Sequence, residues 1–388
     1  MNVELNVIQP EAAVDERYSQ AAGEREPALC CPIDYNPEFL KILPEEIIEK
    51  DYGCGDPSAY VRNGDVVLDL GSGGGKLCYI ASQIVGPNGK VWGVDRNPDM
   101  LQLARKYQPE MAEKVGFDNV AFFYGRIQDL GVDLEKLGQQ IDELDAQGVE
   151  RSSKVLDLMS VMRQESPMIP DNSVDCVISN CVLNLVNPRD RVQLFEEIFR
   201  VLKPGGRAAI SDIVSDRDIP DAMKNDAQLW SGCISGAWRE DKFLEAFLDA
   251  GFVDVSIDRY QEEPWQTIDS IDFRSMTVLA VKPLDETNLD LGHAVIYKGP
   301  YAFVQDDTGL VCERGVRTAV GHETFARIAS GHLSDQFVLL EPVSEMDASD
   351  AEPFDNDLGL QCVPIGENKH RVKGASSASS CCQGGDCC

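Results

Sequence analysis

Positive charge is scarce in this 388-residue chain: 35 Lys and Arg stand against 66 Asp and Glu, a formal net charge of −31. Nucleic acids and anionic membranes are bound by a basic face, so that deficit argues against both as partners. Long apolar runs are missing as well. No stretch approaches the ~20 apolar residues of a membrane span, and Met1 to Arg25 is polar and acidic without the apolar core of a signal peptide. The chain is therefore expected in the cytoplasm, where disulfides are rare unless catalytic. Internal repeats are absent too. Cysteine is plentiful, with thirteen residues, an odd number that cannot pair completely within one chain. Hydrophobic residues at 43% and charged residues at 26% describe an ordinary globular protein.

Asp65-Val66-Val67-Leu68 leads into Asp69-Leu70-Gly71-Ser72-Gly73-Gly74-Gly75, and a helical pattern follows with Leu77, Ile80, Ala81 and Ile84 on one face. Strand, glycine loop and helix open a nucleotide-binding crossover in which backbone passes close to a ligand. The acidic residue entering the loop favours S-adenosylmethionine over a dinucleotide. Lys90–Asp95 reads as a second strand whose terminal Asp95 is placed to accept two ribose hydroxyls. Val120–Tyr124 reads as a third, followed by Gly125-Arg126-Ile127-Gln128-Asp129 where adenine would lie. Asp175–Asn180 is a fourth strand, and Arg207–Ile213, after the turn Leu202–Gly206, a fifth. The late strands are expected at Val253–Tyr260 and Met276–Val281. Alternating strands and helices imply a doubly wound, mainly parallel sheet covered on both faces. Candidate donor-binding residues are Asp69, Gly71, Ser72, Gly73, Gly75, Asp95, Arg126, Ile127 and Asn180.

The cysteines sort by context. Cys78 and Cys176 sit among apolar neighbours and read as small core residues. Cys54 lies between glycines in DYGCG, Cys181 follows the fourth strand, and Cys233 lies in SGCISGA. Ligands of open α/β sheets bind beyond the carboxyl ends of the strands, which puts Cys181 near the donor. Three thiols converging there would make a soft site for a thiophilic centre. Zinc is less suited, because these three lack paired Cys-x-x-Cys spacing.

Taken together, DYGCG, DLGSGGGK-x-CY, SNCVLNLV, VLKPGG and SGCISGA resemble the arsenite S-adenosylmethionine methyltransferases, over roughly residues 30–340. The resemblance implies a class I, Rossmann-like sheet of seven strands at 65–283, with a helical insertion at 130–169. Composition adds an N-terminal arm at 1–64, carrying Cys30, Cys31 and the Cys54 loop and with little to bury over 1–29, a small mainly-β domain at 284–342 that the resemblance includes, and a flexible acidic, Cys-rich tail at 343–388. By the same resemblance Cys181 and Cys233 hold trivalent arsenic beside the sulfonium methyl, and Cys54 completes the site or forms a redox disulfide. Cys30 or Cys31 would be its partner in that disulfide, reduced by thioredoxin or glutathione. The substrate is then arsenite, an uncharged hydroxide that an acidic protein need not repel, and the protein is expected to act as a monomer.

The sequence departs from the commonest family pattern at Leu77, where many members carry an acidic residue, in the length of the insertion, and in the terminal CCQGGDCC. That tail is read as a soft-metal binder. The competing readings are a methyltransferase for another small molecule and a thiol-rich protein that sequesters arsenic or metal.

Overall fold

The computed structural model describes residues 10–23, 35–50, 52–284, 287–331, 333–342 and 346–354. Cys30, Cys31, Cys362 and the CCQGGDCC tail therefore lie outside the described residues. Two compact units divide the chain, Met1–Pro283 and Leu284–Cys388.

The first unit opens with helix α1 (Pro10–Gly23), then the short α2 (Pro37–Leu40) and α3 (Glu45–Glu49). Next come β1 (Val66–Leu70), α4 (Lys76–Val85), β2 (Lys90–Asp95), α5 (Pro98–Val115) and β3 (Val120–Tyr124). The insertion is a pair of helices, α6 (Leu134–Asp142) and α7 (Gly148–Glu165). After it follow β4 (Val174–Asn180), α8 (Arg191–Val201), β5 (Leu202–Ser215), α9 (Asp221–Lys224), α10 (Ala227–Ser231) and β6 (Trp238–Arg239). Helix α11 (Glu240–Asp249) and strands β7 (Val253–Tyr260), β8 (Gln266–Ile268) and β9 (Ile271–Val281) complete the unit.

The sheet runs β3-β2-β1-β4-β5-β9-β7, with short β6 beside β5 and β8 beside β9. Strands β1 to β5 are mutually parallel, and β9 lies antiparallel to both β5 and β7. This is the expected class I sheet of seven strands, with two short strands added at its margin. Side chains of a strand alternate between faces, and here both faces are dry. Val67, Val91, Cys176 and Ile178 enter one core with Leu77, Ile80 and Ala81 of α4. Leu68, Leu70, Val94 and Val177 enter the other, with Phe195 and Ile198 of α8 and Phe243 and Phe247 of α11. Each large side chain so buried contributes about 1.5–3 kcal/mol. Cys78 and Cys176 are fully buried, as small core residues should be.

Two expectations change on folding. The Leu202–Gly206 turn becomes a bulge at the start of β5: β4 pairs with it at Val174↔Leu202 and resumes at Cys176↔Arg207, and Gly205 takes φ +75° to pass the extra residues. The N-terminal segment is not a bare arm, since Ala21 of α1 is 1% exposed.

The second unit holds a three-stranded antiparallel sheet, β13 (Arg317–Ala319), β10 (Ala294–Tyr297) and β14 (Phe337–Leu340), and a ribbon of β11 (Phe303–Gln305) and β12 (Val311–Glu313). One helix, α12 (His322–Ser330), packs Phe325 onto Val295, Tyr297 and Phe337. Among the described residues no helix is long and apolar enough to cross a membrane.

Candidate active site

A cleft of about 1030 Å³, solvent mouth included, opens at the carboxyl ends of β1, β2 and β4. Its floor is the glycine loop. Gly71 adopts φ +74° and a Cβ there would lie 2.4 Å from Val182; Gly73 adopts φ +49° and a Cβ there would meet nothing within 4 Å. The first glycine is needed for backbone packing, the second leaves open space for a ligand. Asp95, at the end of β2, accepts from the Gly73 N–H at 2.8 Å and the Asn97 N–H at 2.7 Å. Burial raises its pKa against those two N–H groups, and the residue lines the cleft. Ile127 and Gln128 form the wall after β3, and Asp69, Ser72, Leu77, Asn180 and Cys181 complete it.

The Tyr52–Gly55 loop lies flat on the ends of β4 and β5 because its glycines have no side chains. A Cβ at Gly53 would sit 2.1 Å from Asn180 Nδ2, and one at Gly55 2.5 Å from Ser211 Oγ. Asn180 clamps the loop: its Oδ1 accepts from the Cys54 N–H at 2.8 Å and the Gly55 N–H at 3.0 Å, while Nδ2 donates to the Gly55 carbonyl at 2.7 Å and to Tyr35 Oη at 3.1 Å. From the other side Ser275 Oγ donates to the Cys54 carbonyl at 2.6 Å. The clamp brings Cys54 and Cys181 to a Cα separation of 5.8 Å, and their sulfurs are joined as a disulfide.

Cys233 closes the group. Its thiol donates to the Cys181 carbonyl at 3.3 Å. Cys181 has φ +60° and Cys233 φ +63°, left-handed conformations that are unusual for non-glycine residues and cluster at functional sites. The two turns are tied together from beneath. Asn184 Nδ2 donates to Asp212 Oδ1 at 2.7 Å and to the Ile213 carbonyl at 2.6 Å. Arg191 donates to the Gly236 carbonyl at 2.6 Å, and its guanidinium stacks 4.6 Å from the Trp238 ring. Gly236 must be glycine, since a Cβ there would lie 1.9 Å from the Asn184 carbonyl oxygen. Ligand atoms of Cys54, Cys181 and Asp212 fall within 4.8 Å of one another. Burial pushes the Asp212 carboxyl up to about 7, opposed by the N–H groups of Ile213 and Asn184. Arg191 is lowered to about 10, also by burial.

Residues 62–251 match a methyltransferase domain, and residues 285–371 match a domain of unknown function. An arsenite methyltransferase of Aquipseudomonas alcaligenes is 31% identical over 306 residues, covering 74% of this chain and 78% of that protein. The chain belongs to the arsenite methyltransferase family. A human arsenite methyltransferase is 30% identical over 79% of this chain and 75% of its own length. The crystal structure of an arsenic(III) S-adenosylmethionine methyltransferase from Chlamydomonas reinhardtii superposes with a TM-score of 0.55 at 25% identity, covering 84% of this chain and all of that one.

Within this arsenite methyltransferase fold, the structure places Asp69, Gly71, Ser72, Gly73, Asp95, Ile127, Asn180 and Cys181 on the cleft. Three expected roles shift. Gly75 caps the start of α4 at φ +86°, and a Cβ there would lie 2.8 Å from the Phe122 ring, so it serves packing. Arg126 is exposed and meets Asp129 through an isolated backbone β-bridge, outside the cleft lining, while Gln128 two residues on is the polar residue on it. Asn180 lines the cleft, yet its side-chain amide is spent on the Cys54 loop.

The disulfide also differs. Cys54, read as completing the site or as forming a redox disulfide with Cys30 or Cys31, is joined here to Cys181, onto whose turn the Asn180 clamp presses its loop. Cys30 and Cys31 fall outside the described residues.

Two features escaped the sequence reading. Tyr18 of α1 packs against the thiol cluster and lines the cleft. Asp212 follows Ser211 within β5 and belongs to no motif, and Asn184, though it stands in SNCVLNLV, carried no sign of its bond to Asp212.

Proposed function

We propose that this chain methylates arsenite through Cys54, Cys181 and Cys233, with Asp95, the Gly71–Gly73 loop, Ile127 and Gln128 holding the methyl donor. One observation carries the reading: Cys181 lines the donor cleft and is at once bonded to Cys54 and hydrogen-bonded by Cys233. S-adenosylmethionine supplies a methyl group on a sulfonium, and the open space above Gly73 fits such a nucleoside donor. In the reduced protein, thiols displace the hydroxides of arsenite as water, leaving pyramidal arsenic with its lone pair free. Arsenic carries no proton to remove, so the chain's task is positioning.

Taking up a methyl group formally oxidises arsenic by two electrons. Two arsenic-bound thiolates that leave together as a disulfide return those electrons and restore the trivalent state. Cys54 and Cys181, joined to one another in the structure, are the pair suited to this step. An external dithiol or thiol then reopens the bond by exchange. The reading takes that reductant to be thioredoxin or glutathione, and the working form to be a cytoplasmic monomer.

The test is direct. Purified reduced protein given arsenite, S-adenosylmethionine and thiol reductant yields methylarsenicals by mass spectrometry, and Cys181→Ser or Cys233→Ser removes them while donor binding persists. Absence of methylarsenicals from the wild type, or full activity in either serine variant, sinks the proposal.

A further inference from the structure

The turn after Cys181 and the turn after Cys233 meet over one side chain. Arg191, the first residue of α8, donates from Nη2 to the Gly236 carbonyl at 2.6 Å and to the Asn184 carbonyl at 3.4 Å. Its Nε donates to the Val186 carbonyl at 3.3 Å. Asn184 and Val186 stand three and five residues after Cys181, and Gly236 three after Cys233. Every hydrogen bond that Arg191 donates among the described residues therefore goes to a turn that carries a thiol. The turns also touch directly, since Asn184 Nδ2 donates to the Cys233 carbonyl at 3.4 Å.

The fork is fixed at its base and on its face. Helix α8 buries Leu194, Phe195 and Ile198 in the core, and the guanidinium lies 4.6 Å from the ring of Trp238, whose strand pairs with β5 at Val214. Burying a cation is costly, and neutral carbonyls return less than a carboxylate would. A planar group with five donors in set directions has one advantage that a neutral amide or a lysine lacks: it holds several acceptors at a fixed spacing. That spacing matters here. Pyramidal arsenic takes a further thiolate only where the sulfurs converge on one point, and Cys233 belongs to a different element from Cys181.

We propose that Arg191 is a positioning residue for the acceptor, its fork setting the separation of the two turns and so bringing Cys233 to the arsenic already held by Cys54 and Cys181. Those two are brought together by the separate Asn180 clamp, so the third sulfur alone depends on Arg191. The inference rests on the arsenite reading above.

Arg191→Lys in the full reduced chain keeps the charge and removes the fork. X-ray absorption at the arsenic edge counts the sulfurs on bound arsenite: three are expected in the wild type, and two with one oxygen in the variant. Arsenite affinity should fall about 10- to 100-fold, the worth of one or two charge-assisted hydrogen bonds. The Kd for S-adenosylmethionine should stay within about twofold, because Arg191 is not on the cleft lining. Three sulfurs in the variant overturn the proposal, as does an equal loss of both affinities, which marks loosened packing instead. If the lysine variant binds neither ligand, Trp238→Phe decides. It shrinks the face beneath the fork and should weaken arsenite about two- to fivefold with the donor unaffected; unchanged arsenite affinity there overturns the proposal too. A wild type that holds arsenic on three sulfurs yet forms no methylarsenical defeats the functional reading and leaves the role of Arg191 standing. One that shows no arsenic–sulfur scattering defeats both.

Discussion

Reduction of the Cys54–Cys181 bond opens a loop of 127 residues. Closing a loop of that length removes about 16 cal/mol/K from the unfolded chain, or about 5 kcal/mol at 25 °C. The first unit spans Met1–Pro283, and at about 2.1 cal/mol/K per residue its unfolding entropy is about 0.6 kcal/mol/K. The reduced form should therefore melt about 8 °C below the oxidised form. Arsenite then makes a sharper prediction. Bound between Cys181 and a second thiol, it closes a loop again and restores most of that difference at stoichiometric concentration. Cys54→Ser should lose the oxidised form's advantage and still gain from arsenite through Cys181 and Cys233. Cys181→Ser should lose both. Scanning fluorimetry on air-oxidised, reduced and arsenite-loaded protein reads all three states. A reduced protein that melts within a degree of the oxidised one, or a Cys181→Ser variant stabilised by arsenite as much as the wild type, refutes the cross-link argument.

Three further perturbations separate the two halves of the site. Asp95→Ala removes the carboxylate facing the donor and should weaken S-adenosylmethionine by about 10- to 100-fold, the worth of one or two charged hydrogen bonds, with arsenite affinity unchanged; calorimetric titration with each ligand decides. Gly236→Ala drives a methyl into the Asn184 carbonyl and should destabilise by about 2–3 kcal/mol, abolishing arsenite binding before donor binding; equal losses of the two affinities contradict it. Asp212 supplies a pH dependence. Its folded pKa of about 7 stands above the unfolded carboxylate value, so the stability of its protonated form is complete below about pH 4 and drains away as pH rises through 7. The wild type's melting temperature relative to Asp212→Asn should fall between pH 5 and pH 8, by at most about 4 kcal/mol in stability; a constant or rising difference rules this out.

The sheet was legible because strand, glycine loop and helix punctuate the sequence at short range. DLGSGGG, Asp95 and the apolar fourth strand each declare a strand end, and topology alone then carries Cys181 to the ligand side. What stayed hidden depends on contacts between distant segments. A glycine run does not say which glycine meets the ligand: Gly75 differs from Gly73 because α4 begins there and Phe122 packs behind it. The bond between Cys54 and Cys181 requires Asn180 to grip a loop 126 residues earlier in the chain. Tyr18 sits in a polar, alanine-rich helix with almost no apolar signal, so nothing in its neighbourhood announced a site. Asp212 follows Ser211 in β5 and reads as one more polar step in the strand until Asn184 and Arg191 surround it.

The left-handed backbone at Cys181 and Cys233 bears on how such a site is kept or lost over generations. A side chain there carries a standing penalty of about 1 kcal/mol or more that glycine escapes and asparagine eases. Once arsenic chemistry ceased to matter, both positions would drift towards those two residues, and the fold would gain stability as the thiols disappeared. Serine or alanine would bring no such relief. On the proposed role of the two thiols, cysteine at both turns is held for its chemistry against the preference of the backbone, and glycine or asparagine there in a related chain would mark a methyltransferase that has left arsenic for another acceptor.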